Sequence, residues 1–107
     1  MIVNRKSVLV LIDSSVSTNF ISARTARLLG IKMIPRREVT VQGMDDKPFR
    51  GKMGKINRET VSVKVEAALY PSARVQFSIL ETERLHVVLG MPWLESKIKL
   101  LKETLGQ

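Results

Sequence analysis

The stretch Leu9-Val10-Leu11-Ile12-Asp13-Ser14-Ser15-Val16-Ser17 constrains this chain more than any other. An apolar run leads straight into an acid, and small hydroxyl residues follow at once. A carboxylate at the end of a buried strand is costly unless hydrogen bonds or a function hold it there. A second apolar run ends in glycine, Val87-Val88-Leu89-Gly90, and continues Met91-Pro92-Trp93-Leu94. Asp13 is the only acid placed directly after an apolar strand. Asp45 and Asp46 fall in a glycine-rich segment.

With 107 residues, the chain predicts one domain spanning 1–107. It has no cysteine, which excludes disulfides and thiolate chemistry. Its longest apolar run, Val8 to Ile12, is too short to cross a bilayer. Asn4, Arg5 and Lys6 break any signal-peptide pattern. A soluble, intracellular, cytoplasmic protein is therefore expected, with no membrane partner.

Eighteen Lys and Arg against 10 acids leave a net charge of +8, which favours an anionic partner such as nucleic acid. The charge is spread along the chain, at Arg5-Lys6, Arg24/Arg27, Arg36-Arg37, Lys47 to Lys55 and Lys97 to Lys102. One Trp, one Tyr and three Phe offer little for base stacking. A weak nucleic-acid association through a basic surface is one expectation, and a merely solvated surface is the other.

Periodicity predicts mostly short strands. Ile2-Val3 and Ser7 to Ile12 read as strands joined by an Asn4-Arg5-Lys6 turn. Phe20 to Leu29 reads as a helix, with Ser17, Thr18 and Ser22 as candidate caps and Gly30 as terminator. Pro35 opens the next connection, and Glu38 to Gln42 alternates as a strand. Thr60 to Glu66 and Arg74 to Leu80 alternate too, with Tyr70-Pro71-Ser72 turning between them, and Leu85 to Leu89 reads as a buried strand. Gly43 to Gly54 reads as an exposed loop or a hairpin. Pro92 starts a short helix, and Ser96 to Leu105 suits either a helix or short paired strands.

Taken alone, Asp13-Ser14-Ser15 also suits a plain turn or helix cap. His86 stands without a second His, Cys or spaced acid pair, so no metal site is expected. No Gly-x-Ser-x-Gly elbow accompanies the serines, which argues against a serine nucleophile.

The ordered set of motifs resembles the retropepsin family of aspartic proteases, and most of all the proteases of gypsy-type LTR retrotransposons. The family shows strand, Asn-Gly-Lys-type turn, strand, then Asp-[Ser/Thr]-Gly-Ala-[Ser/Thr]. The counterparts here are Ile2-Val3-Asn4-Arg5-Lys6, Val8 to Ile12, and Asp13-Ser14-Ser15-Val16-Ser17. Asn19-Phe20-Ile21, Leu28-Leu29-Gly30 and Val87-Val88-Leu89-Gly90-Met91-Pro92-Trp93-Leu94 match later stretches of that branch in order.

The resemblance implies an all-β, β-rich retropepsin-like closed barrel with a flap hairpin and one or two short helices. It implies a homodimer in which two copies of Asp13 form the catalytic dyad, acting on extended peptides or a polyprotein without a cofactor. Asp13 would be the catalytic acid or base, and Ser14 would brace the active-site loops. Leu89 and Gly90 would pack beneath them. Val16 and the flap residues Gly43, Met44, Met53 and Gly54 would contact substrate. A retroelement particle joins the cytoplasm as a possible compartment. Ser15 and Val16 depart from the family's Gly-Ala, so an impaired dimer acting as a peptide-binding or scaffold module is the competing expectation.

Overall fold

The computed structural model describes residues 1–40, 55–68, 70–81, 84 and 87–104, with side chains described through residue 99. Among the described residues, ten strands form two sheets, with one helix between β4 and β5 and a second after β10. The architecture is mostly β, as expected from the sequence. Among the described residues, neither sheet's hydrogen bonding returns to its first strand.

The first sheet has the order β2-β1-β7-β8, built from β1 (Ile2–Val3), β2 (Lys6–Ser7), β7 (Val63–Ala67) and β8 (Tyr70–Val75). The turn between β1 and β2 has positive φ at Asn4 (50°) and Arg5 (70°). Val3 pairs with Val65, and both are buried.

The second sheet has the order β3-β10-β4-β9-β6-β5. Its strands are β3 (Leu11–Ile12), β4 (Phe20–Ser22), β5 (Met33–Thr40), β6 (Lys55–Thr60), β9 (Ser78–Leu80) and β10 (Val87–Leu89). Every residue of β4, β9 and β10 is buried. Ile21, Ile79, Val87 and Leu89 join the main core, with Val3, Val63, Val65 and Val75 of the first sheet. Phe20, Leu80 and Val88 enter a second cluster with Val16 and Ile56. Successive residues of a strand point to opposite faces, so burying both faces demands an unbroken apolar run. Val87-Val88-Leu89 is such a run.

Several boundaries differ from the sequence expectations. Ser7 to Ile12 is not one strand. Val8 exchanges hydrogen bonds with Met1 (2.9 and 3.2 Å), and the chain then crosses from the first sheet to the second. Nor is that run buried throughout. Val8 and Val10 pack on the core, while Leu9 is 95% exposed, Leu11 57% and Ile12 44%.

Phe20 to Ser22 is strand rather than helix, because it pairs in parallel with β9 and fills the sheet centre. Helix α1 (Ala23–Leu28) starts after it, capped by Ser22, whose hydroxyl accepts from the Thr25 N–H at 3.2 Å. Gly30 (φ 68°) ends it. The Ile31 N–H reaches Ala26 O (2.9 Å) and the Gly30 N–H reaches Arg27 O (3.1 Å), the paired bonds of a Schellman motif.

Pro35 lies inside β5 rather than opening a connection. The strand is at the sheet edge and its register shifts between Pro35 and Val39, two conditions under which proline is tolerated. Tyr70-Pro71-Ser72 is strand, not turn, since β8 begins at Tyr70 and Ala67 pairs with it. Thr60 to Glu66 divides between β6 and β7, and Arg74 to Leu80 between β8 and β9. The C-terminal segment is the helical one of the two alternatives. Helix α2 (Met91–Thr104) carries Trp93 into the core. Val41 and Gln42, Leu85, His86 and Leu105 lie outside the described residues.

Candidate active site

Asp13 leaves β3 at the edge of the second sheet. Leu11 pairs in parallel with Val88, and Ile12 with Leu89. The Asp13 N–H continues that ladder, donating to Leu89 O at 3.0 Å. The backbone of the acid is thus fixed to a fully buried strand while its side chain stays partly exposed.

The turn that follows is held from several sides. The Val16 N–H donates to Asp13 O (3.3 Å), and Val16 O accepts from the Met91 N–H (2.8 Å). The Gly90 N–H donates to Oδ1 of buried Asn19 at 2.9 Å, while Asn19 O accepts from the Ser78 N–H at 2.8 Å. Gly90 fits because it has no side chain. A Cβ there would overlap the Thr18 carbonyl oxygen and lie 2.7 Å from that of Val16. This is the close backbone approach that glycine permits.

Both hydrogen bonds recorded on the Asp13 carboxylate come from Ser15 and end on Oδ1. The Ser15 hydroxyl donates at 2.6 Å and its N–H at 2.9 Å. The hydroxyl bond, then the backbone bond, holds the Asp13 carboxyl below its ordinary value of 3.8, against a smaller opposing effect of desolvation. No second carboxylate contributes to that shift. A lone carboxylate kept ionised is a base without a protonated carboxyl beside it to act as the acid.

The remaining expected site residues are placed as follows. Ser14 is exposed, one residue beyond Asp13. Leu89 is fully buried, beneath the turn that its carbonyl anchors. Val16 points into the second apolar cluster with Phe20, Ile56, Leu80 and Val88, so in this chain it seats the turn. Gly43, Met44, Met53 and Gly54 lie outside the described residues. The last described pair of the β5–β6 hairpin arms is Thr40 with Lys55, and these residues fall between them. Asn19 was not assigned a role from sequence. Its signal there is its place in the family-like Asn19-Phe20-Ile21 stretch, which does not disclose the contact because its partner Gly90 lies 71 positions away.

Residues 9–98 match the family model described as the PEG10/RTL1 protease domain. The chain belongs to this family. It is retropepsin-like and of gypsy-retrotransposon origin, in agreement with the resemblance read from the motifs. The PEG10/RTL1 match takes in the Asp13 turn, Asn19 and the Gly90-Met91-Pro92-Trp93 junction, which the structure brings together. No curated protein matches the chain. Among the described residues, no His, Cys, Asp and Glu side chains gather as a metal-binding group, and no helix is long and apolar enough to cross a membrane.

Proposed function

We propose that this protease domain is an aspartic endopeptidase working as a homodimer, each single-domain chain supplying one Asp13. The observation that carries the reading is a rigidly anchored, partly exposed carboxylate at a sheet edge with no second acid acting on it. Peptide hydrolysis by carboxylates needs two of them, one as base toward water and one holding a proton. A second copy related by a two-fold axis provides the missing partner. The exposed apolar side chains of Leu9, Leu11 and Ile12 immediately before Asp13 support such a dimer, because a second copy would bury them.

In this reading Asp13 activates water and protonates the leaving amine by turns. Ser14 braces the facing turns, and Leu89 and Gly90 support them from below. Gly43, Met44, Met53 and Gly54 close over an extended peptide, with Val16 beneath. The dyad titrates as a pair. The Ser15 hydroxyl works against one step, since it stabilises the ionised form of a group that must hold a proton half the time.

That same contact favours a second reading, an impaired dimer that binds peptide without turnover. A cleavage assay on a mixed peptide library at acidic to neutral pH separates the two, with Asp13→Asn and Ser15→Gly run beside the parent chain. Cleavage that disappears in Asp13→Asn establishes the protease. Cleavage that survives Asp13→Asn refutes it. Activity only in Ser15→Gly establishes the impaired dimer.

A further inference from the structure

At the Asn4-Arg5 turn, local conformation and charge are both unfavourable. A two-residue hairpin turn with positive φ at both positions favours Asn-Gly. Asn4 suits its place: its backbone N–H donates to Lys64 O (3.0 Å) and its Nδ2 to Leu29 O (2.7 Å). Arg5 does not, because at φ 70° its Cβ crowds its own backbone. A second unfavourable feature lies beside it. Lys64 of β7 and Arg74 of β8 are direct cross-strand partners, where like charges repel.

Both features line one cleft of about 430 Å³, with Lys6 as a fourth cation and no acid on its walls. Two of the four cations have partners at hand. Lys6 Nζ donates to Leu28 O at 3.2 Å, and Lys64 Nζ lies 3.6 Å from Glu66. The guanidinium groups of Arg5 and Arg74 have neither a hydrogen bond nor an ion pair among the described residues. Strained and repulsive residues persist where another role retains them.

We infer that this cleft is a binding site for the phosphate backbone of nucleic acid. Two unengaged guanidinium forks match phosphate oxygens in geometry and charge. No aromatic side chain lines the cleft, so contact with the backbone rather than base stacking governs the interaction. The chain's net charge of +8 suits an extended polyanion. The strand residues of the site belong to the first sheet, whereas Asp13 follows β3 of the second.

The test is fluorescence anisotropy with a labelled mixed-sequence RNA of about 20 nucleotides, read from about 50 to about 200 mM salt. With Lys6 and Lys64 exchanging their exposed contacts for phosphate, four phosphate contacts give a salt slope near −2.8, an affinity loss of roughly 50-fold across that range. Arg5→Gly/Arg74→Thr removes two contacts, and the loss shrinks to roughly 7-fold. The same Arg5→Gly change raises the melting temperature, because glycine relieves the turn. Weaker binding with higher stability cannot come from unfolding. Three results would each overturn the site: no RNA binding at the lowest salt, an unchanged slope in the double variant, or equal weakening in a Lys32→Ser/Lys99→Ser control. Competition by polyglutamate as effective as that by RNA would reassign the cleft to acidic peptides.

Discussion

Gly90→Ala tests whether the Asp13 turn depends on backbone contact. The added methyl overlaps the Thr18 oxygen and lies 2.7 Å from the Val16 oxygen, where ordinary contact begins at 3.4 Å. Both neighbours are backbone, so no rotamer change relieves the overlap. The turn has to retreat by on the order of 1 Å, more than a well-packed interior absorbs freely. That retreat stretches the Met91 N–H to Val16 O bond and pulls the Gly90 N–H from Asn19. Overpacking together with a weakened buried hydrogen bond costs about 3 kcal/mol. For a domain of this size the melting temperature falls by roughly 12–24 °C. Thermal unfolding followed by circular dichroism reads the first effect. On the proposed function, cleavage well below the new midpoint reads the second, where a displacement of about 1 Å at Asp13 lowers kcat/KM by roughly 100-fold. A variant that melts within about 4 °C of the parent would refute the packing argument.

Three further outcomes follow from the same contacts. Asn19→Ala leaves the buried Gly90 N–H without its acceptor and lowers stability by about 1–3 kcal/mol, read by urea denaturation. Ser15→Ala removes the hydroxyl bond to Asp13, so NMR titration of that carboxyl should move up toward its ordinary value of 3.8. Folding lowers the Asp13 pKa, so its stabilising contribution is complete above that ordinary value and is lost as pH falls through the lower folded value. Ser15→Ala therefore narrows this acid-side loss. Lys97, only 7% exposed, lies 5.3 Å from the Trp93 ring and 5.8 Å from the Tyr70 ring, with Nζ 3.3 Å from Pro71 O. Lys97→Ala should destabilise the fold more than Lys97→Met and red-shift the emission of the chain's one tryptophan, since only methionine keeps the packed stem.

Short-range order in this chain was legible in its residues. Asn4 and Arg5 marked a turn, though Lys6 already belongs to β2, Ser22 was one of three candidate caps, Gly30 ended a helix, and Val63/Val65 alternated into the core. These signals are local: a cap, a positive φ and a two-residue period each act within a few positions. The motif order also sufficed for the family, because its acid and its distal glycine are recognisable as residue types.

What the residues did not disclose depends on partners far along the chain. Phe20 to Ser22 has helical neighbours, yet it is a strand because β9 and β10 offer it hydrogen bonds on both sides. Val8 to Ile12 looks uniformly buried, yet Leu9, Leu11 and Ile12 are exposed because the run changes sheets and ends on an edge. The positions of Asn19 against Gly90, of Lys64 opposite Arg74, and of Arg5 beside both are also tertiary facts. Sequence by itself determined the turn, the helix terminator and the family, and singled out Asp13 as the acid after an apolar run. Tertiary structure decided which carbonyls anchor that acid and where the positive charge gathers, because strand register brings together groups whose separation in the chain carries no local signal.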